Sequence, residues 1–199
     1  MGKSIAFFDF DGTLTSRDSF ADFLLYSFGY WKLIIAAFIL SPILIRYVTG
    51  FIDNSKAKEL LYHYFFLGLS DTQLKDLGED YVANRLSKII RPLGMQQVRW
   101  HLSEGHMVVI VTASSEYWVQ PWAHKNGLCC IATKLDKRHG ILTGYYAGLN
   151  CHGEEKVSRI KSEYDLKNFE KIYAYGDTPG DLPMLSIAHI KNYKPFVVP

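Results

Sequence analysis

The chain has 199 residues, of which 48% are hydrophobic and 21% charged, and its formal net charge is +2. That length suits one α/β domain carrying an inserted subdomain. The balance excludes a disordered chain, and the small charge with scattered basic residues excludes an electrostatic nucleic-acid surface. Cys129, Cys130 and Cys151 lack C-x-x-C spacing, so they support neither a disulfide framework nor a zinc site and are expected as free buried thiols.

In chain order, residues 5–10 form a short apolar run closed by Gly12, the pattern of a buried parallel strand. The first residues carry an acidic pair inside this stretch and no small-residue cleavage site. They do not read as a signal peptide, and cytoplasmic residence is expected. Residues of about 16–90 then read as helical throughout, with breaks at Pro42 and Gly50. An insertion placed directly after a first strand can fold into a cap over the sheet edge. Within it, residues 33–45 are thirteen uncharged, mostly apolar residues between Lys32 and Arg46. A membrane-spanning helix needs about 20, so a buried cap helix is the main expectation. A membrane-surface helix at residues 33–45 is the alternative, favoured by Tyr26, Phe28, Tyr30, Trp31 and Tyr47, because aromatic rings suit interfaces.

Two further apolar runs, 107–112 and 171–175, predict strands, with helices near 115–125 and 154–164 between them. Residues 134–148 predict a β-hairpin around Arg138-His139-Gly140. Trp118 and Trp122, four residues apart, should share one helix face. Strand–helix–strand alternation argues for a parallel sheet with helices on both faces, whose ligands bind at the carboxyl strand ends. All three runs end in polar or acidic residues at that edge: Asp9 and Asp11, Thr112, and Asp177.

These residues suggest a chemistry. Residues i and i+2 of a strand project to one face, so Asp9 and Asp11 can address one substrate. Two neighbouring carboxylates repel unless a cation or shared proton relieves them, and Mg²⁺ favours such oxygen ligands. One carboxylate can attack phosphorus while the other moves protons. Alone, the pair is equally a capped strand end. Thr112-Ala113-Ser114 can offer a hydroxyl and backbone N–H groups to a phosphate, or serve as an ordinary helix cap. Lys156, near a helix start, can neutralise a phosphoryl group, with Lys161 as a competitor. Asp177 and Asp181 can complete a metal site, the latter from directly beside the ion or from behind its ligands.

The set DFDGTLT, VVIVTAS, GEEKV and YGDTPGD resembles the four motifs of the haloacid dehalogenase superfamily, and the insertion after the first resembles its type-one cap. CHGEEKV and the DSF after the first motif are most similar to subfamily IB, which includes phosphoserine phosphatase-like enzymes. The resemblance implies a three-layer Rossmann-like core of residues 1–15 and 91–199, with a helical cap of residues 16–90. It implies Asp9 as nucleophile, Asp11 as acid and base, and Thr112 and Lys156 as catalytic phosphate ligands. Gly12, Thr13, Ala113 and Asp18 would be further substrate contacts. Mg²⁺ would be held by Asp9, the Asp11 backbone carbonyl, Asp177 and Asp181. Phosphoserine phosphatases usually carry glutamate nine residues after the nucleophile and asparagine before the last motif aspartate; here Asp18 and Gly180 stand there. Their cap arginine has only Arg46 as a candidate. The expected activity is hydrolysis of a small phosphomonoester. A membrane-surface phosphatase of a lipid-linked phosphate, similar to phosphatidylglycerophosphate phosphatases, and a non-catalytic phosphate- or protein-binding module are the alternatives.

Overall fold

Residues 4–8 are buried without interruption and form the central strand β1 (Ser4–Phe8). The computed structural model describes residues 3–196, so residues 1–2 and 197–199 of the expected core lie outside the described residues. Beside β1 run β2 (Met107–Ser115) and β6 (Lys171–Gly176), flanked by β3 (Cys129–Thr133) and β7 (Ile190–Tyr193). The sheet order is β3-β2-β1-β6-β7, and every pairing is parallel. The chain thus builds outward from β1 to one side and then to the other. Such a switch point opens a crevice at the carboxyl strand ends.

Alternation along β1 loads both faces of the sheet. Ile5 and Phe7 pack with Ile160 of α7 (Glu154–Glu163) and Met184 of α8 (Leu182–Ser186). Ala6 and Phe8 face the opposite layer with Val98 of α5 (Pro92–Ser103). The three strands read from the sequence are present, and β2 runs three residues past its expected end. The hairpin is β4 (Leu135–Arg138) with β5 (Ile141–Tyr146). Of the cysteines only Cys151 is buried; Cys129 is exposed, a correction that follows from its place on an edge strand.

Residues 16–90 hold α1 (Ser19–Ile39), α2 (Ser41–Val48), α3 (Asn54–Phe66) and α4 (Asp71–Asn84). The chain leaves and re-enters beside the sheet through one antiparallel bridge, Thr15 with Ile90. Ser16 N–H donates to the Ile89 carbonyl at 2.7 Å, and Arg91 N–H to the Leu14 carbonyl at 2.7 Å. The start of α1 is clamped: Asp22, buried, accepts Arg85 Nε at 3.0 Å and Nη2 at 2.8 Å from beyond α4. Phe23 stacks 4.6 Å from Trp118 of α6 (Glu116–Lys125), and Trp118 and Trp122 are both buried. Aromatic pairs of this kind add about 1 kcal/mol beyond their buried area.

The expectation of a buried helix at residues 33–45 is corrected. Ala36 and Leu40 are buried there, but Ile35, Phe38, Ile39 and Ile45 are exposed. The sharpest break is at Gly29, whose φ of 77° and ψ of 168° interrupt α1, a conformation that suits glycine. Beyond that break Ala36 still packs in the core and Leu40 is buried, while the other face of the second arm turns to solvent.

One buried group makes stability depend on pH. His101 of α5 is fully buried, with Nε2 2.9 Å from the Tyr175 hydroxyl and Nδ1 2.8 Å from Nδ1 of His106. Burial, reinforced by His106, pushes its pKa down to about 4. An unfolded histidine titrates near 6.5, so between about 4 and 6.5 the unfolded chain takes up a proton that the folded one refuses. Stability is therefore full above about pH 6.5 and falls toward pH 4. Urea unfolding at pH 7.5 and 4.5 should differ by about 2 kcal/mol from this group, and His101→Leu should flatten that difference. An unchanged pH slope in the variant would reject the assignment.

Candidate active site

Asp9 follows β1 directly, and its N–H donates to the Tyr175 carbonyl of β6 at 2.9 Å, which extends the sheet pairing by one residue. Lys156, the third residue of α7, points inward and is 2% exposed. Its ammonium donates to Asp9 Oδ1 at 2.5 Å and to Asp181 Oδ1 at 2.7 Å. Carboxylate oxygens of Asp9, Asp177 and Asp181 lie within 4.8 Å of one another. The first and last motifs, far apart in the chain, thus meet at one sheet edge.

Electrostatics give these groups different tasks. Burial pushes the Asp9 carboxyl up to about 7 against the opposing pull of Lys156. Burial also works against the charge on Lys156, but Asp9 and Asp181 outweigh it and raise its pKa. For Asp181 burial is likewise overcome by Lys156 and the Thr178 donors, and its pKa is lowered. Asp181 Oδ2 accepts Thr178 N–H at 3.0 Å and the Thr178 hydroxyl at 2.9 Å, so this carboxylate orients the loop and the lysine together. Asp177 is half-buried; burial raises its pKa, opposed by the Thr13 hydroxyl, which donates to its Oδ1 at 2.9 Å. Thr13 therefore meets a carboxylate here.

Asp11 stands apart from that trio. Its Oδ1 accepts Ser19 N–H at 2.7 Å and its Oδ2 accepts the Ser114 hydroxyl at 2.5 Å. Burial first, then the charge of Asp18, raises its pKa, which favours a carboxyl that keeps its proton until one is needed. The Ser19 hydroxyl accepts from Trp118 Nε1 at 3.0 Å. Ser19, Ser114 and Trp118 as holders of Asp11 were missed from sequence, because serines after a strand read as helix caps.

Thr112 is fully buried, and its Oγ1 accepts Ser114 N–H at 3.0 Å, while the β2–β3 register slips between Thr112 and Ser115. The helix cap is Ser115. Ala113 lies on the same short stretch. Gly12 has φ 83°, and a Cβ there would run into the Asp177 carboxylate, so glycine is required by both backbone and space. At Gly180 a Cβ would meet the His152 ring as it stands. Asp18 caps α1 through Ala21 N–H at 2.9 Å and is exposed. Lys161 and Arg46 are exposed, the latter on α2 away from these contacts. Lys58 of α3, which sequence did not single out, places Nζ 5.4 Å from the Phe20 ring centroid, beside Ser19. Its charge acts on Asp11 against the effect of Asp18. A cleft of about 560 Å³ is lined in part by Ser55, Tyr146, Asn150 and His152, and none of the candidate catalytic residues lines it.

A divalent cation fits the donor set. Three carboxylates against one ammonium leave two formal negative charges in a largely buried cluster, and hard cations of that charge take carboxylate oxygens.

Comparison with known proteins identifies the family and the fold. The family model described as haloacid dehalogenase-like hydrolase matches residues 6–186. The chain is 34% identical to Protein CicA of Caulobacter vibrioides over 192 residues, covering 95% of this chain and 85% of that protein. It is 26% identical to a probable phosphatase of Mycobacterium tuberculosis, covering 97% of this chain and 69% of the other. A crystal structure of a protein of unknown function from Bordetella pertussis superposes with a TM-score of 0.80 at 27% identity, covering 94% and 88% of the two chains. A substrate-bound phosphoserine phosphatase shares the fold, with a TM-score of 0.64 at 18% identity over 97% of this chain and 86% of that one.

Proposed function

The chain belongs to the haloacid dehalogenase-like hydrolases and is a phosphatase; we propose that it hydrolyses a small phosphate monoester through an aspartyl phosphate on Asp9. The observation that carries this reading is the buried Asp9–Lys156–Asp181 chain with Asp177 beside it. A carboxylate oxygen of Asp9 attacks phosphorus and the ester bond to the leaving oxygen breaks. Asp11 gives its proton to that oxygen. Asp11 then takes a proton from water as the water attacks the phosphorus of the aspartyl phosphate, which releases inorganic phosphate and restores Asp9. Lys156 holds Asp9 in place and offsets phosphate charge, with Thr112 and the backbone at Gly12 and Ala113 as further phosphate contacts. Mg²⁺ would be held by Asp9, Asp177 and the Asp11 carbonyl, with Asp181 behind them, and would supply charge neutralisation for the phosphoryl group.

Residues 16–90 act as a cap in this reading, supported by the Thr15–Ile90 bridge at their root and by the Ser19 N–H on Asp11. Asp18 and Lys58 then bring one carboxylate and one ammonium toward the leaving group, which suits a small polar metabolite. The test is phosphate release from a phosphometabolite panel with Mg²⁺ and with chelator. Metal-dependent turnover is expected; complete inactivity across the panel would leave a binding module instead.

Lys58→Met should raise KM roughly tenfold for monoesters whose leaving group carries a carboxylate. It should leave kcat/KM for an aryl phosphate within about threefold. Equal losses on both substrates would place Lys58 in the chemistry rather than in selection.

A further inference from the structure

Beyond the Gly29 break, one face of the second arm of α1, together with Ile45, Tyr47 and Val48 of α2, presents apolar side chains to solvent. Trp31 and Phe51 are 79% exposed and Phe38 and Val48 83%, with Ile35 and Ile45 also exposed. Chains that remain free in water rarely show a continuous apolar face of this kind. Its charge pattern is one-sided: between Phe23 and Ile52 the sequence contains no Asp or Glu, and its only charged residues are Lys32 and Arg46. Lys32 lays its stem over the Phe28 ring, with Nζ 4.3 Å from the centroid, so its head can reach outward from an apolar base.

We propose that this face docks on the surface of a bilayer that carries anionic lipid. Tyr30, Trp31 and Tyr47 are exposed on it, and such rings favour the boundary between headgroups and acyl chains. Two cations without a local acid complement an anionic surface. A two-fold contact with a second copy fits less well, because it would bring both copies of Lys32 and Arg46 to one apolar interface with no carboxylate from this segment to pair them. Spanning is excluded by packing. Although α1 has 21 residues, Phe20, Phe23 and Leu24 belong to the core and Asp22 is buried against Arg85. Only the arm after Gly29 has an uncovered apolar face. Its ten residues reach about 15 Å, half of a hydrocarbon core of about 30 Å. The arm and α2 therefore lie along the interface. This docking does not depend on the catalytic assignment, and Asp9→Asn protein should bind lipid as the native chain does.

The test is co-sedimentation of the full chain with phosphatidylcholine vesicles, with and without phosphatidylglycerol, alongside sedimentation equilibrium without lipid. The native chain should pellet with the anionic vesicles. Phe38→Asp combined with Val48→Asp should lower partitioning about tenfold or more. Lys32→Glu combined with Arg46→Glu should abolish the preference for anionic vesicles. Both double variants should turn over a soluble aryl phosphate at the native rate, which shows that they are folded. A native chain that stays in solution with either vesicle type would overturn the proposal. So would a dimer that the Phe38/Val48 variant dissociates while vesicles are ignored, which would make the face a contact between copies.

Discussion

Asp9→Asn should lower kcat for an aryl phosphate by about 10⁴-fold or more while the protein stays folded, because the amide removes the attacking group and little else. An asparagine Oδ1 can still accept from Lys156, which sits 2.5 Å from Asp9 Oδ1, so the buried lysine keeps both hydrogen-bond acceptors and its charged partner Asp181. The side chain is almost the same size, and the surroundings of a nearly closed site need not move. Steady-state rates at saturating Mg²⁺, together with circular dichroism and thermal unfolding, check both halves. A variant that retained a tenth of native turnover would remove Asp9 from the role of nucleophile. Loss of fold would instead mean that the negative charge holds the site together. In that case Asp9→Glu, which keeps charge but shifts the carboxylate, should restore stability without restoring turnover.

Lys156→Met should be costly in two separable ways. It leaves the carboxylates of Asp9 and Asp181 buried without the cation that both contact. Breaking a buried ion pair from one side costs about 3–5 kcal/mol, and losing a charge that stabilises the transition state costs roughly 10²–10³ in kcat. The sign of the pH dependence identifies the cause. Burial already raises Asp9, and without Lys156 nothing in the immediate pair opposes it. Carboxyls whose folded pKa is raised bind protons more readily when folded, so that stability is greatest at low pH and is lost as pH rises. The deficit of the variant should therefore be largest near neutrality and shrink as pH falls. Added Mg²⁺ should shrink it too, because a cation on the same carboxylates relieves the same repulsion. Thermal unfolding of both proteins across pH, with and without Mg²⁺, measures this. A deficit that ignores both pH and Mg²⁺ would point to lost packing around the lysine stem rather than to charge.

The legible part of the molecule had local causes. β1, β2 and β6 are buried on both faces, and a strand covered on both sides must be a continuous apolar run. That made these three strands and their acidic ends visible, and with them Asp9, Asp11, Thr112 and Asp177. The edge strand β7, Ile-Lys-Asn-Tyr, is largely exposed, and it carried no such run. Likewise Cys129 opens β3 from an exposed position, so two of the five strands were not read.

What the sequence alone determined is therefore the sheet's centre, the order of its chemical motifs and the helical insertion between the first two, since each depends on residues near in the chain. The tertiary structure decided the rest. Ser19 and Ser114, 95 residues apart, close on Asp11; His152 fills the space over Gly180; Lys58 comes to the site from α3. Apolar composition at residues 33–45 favoured a buried helix over a bare one. Whether such a face is covered depends on which surfaces the chain brings against it, and beyond the one-residue break at Gly29 only the side with Ala36 and Leu40 is covered.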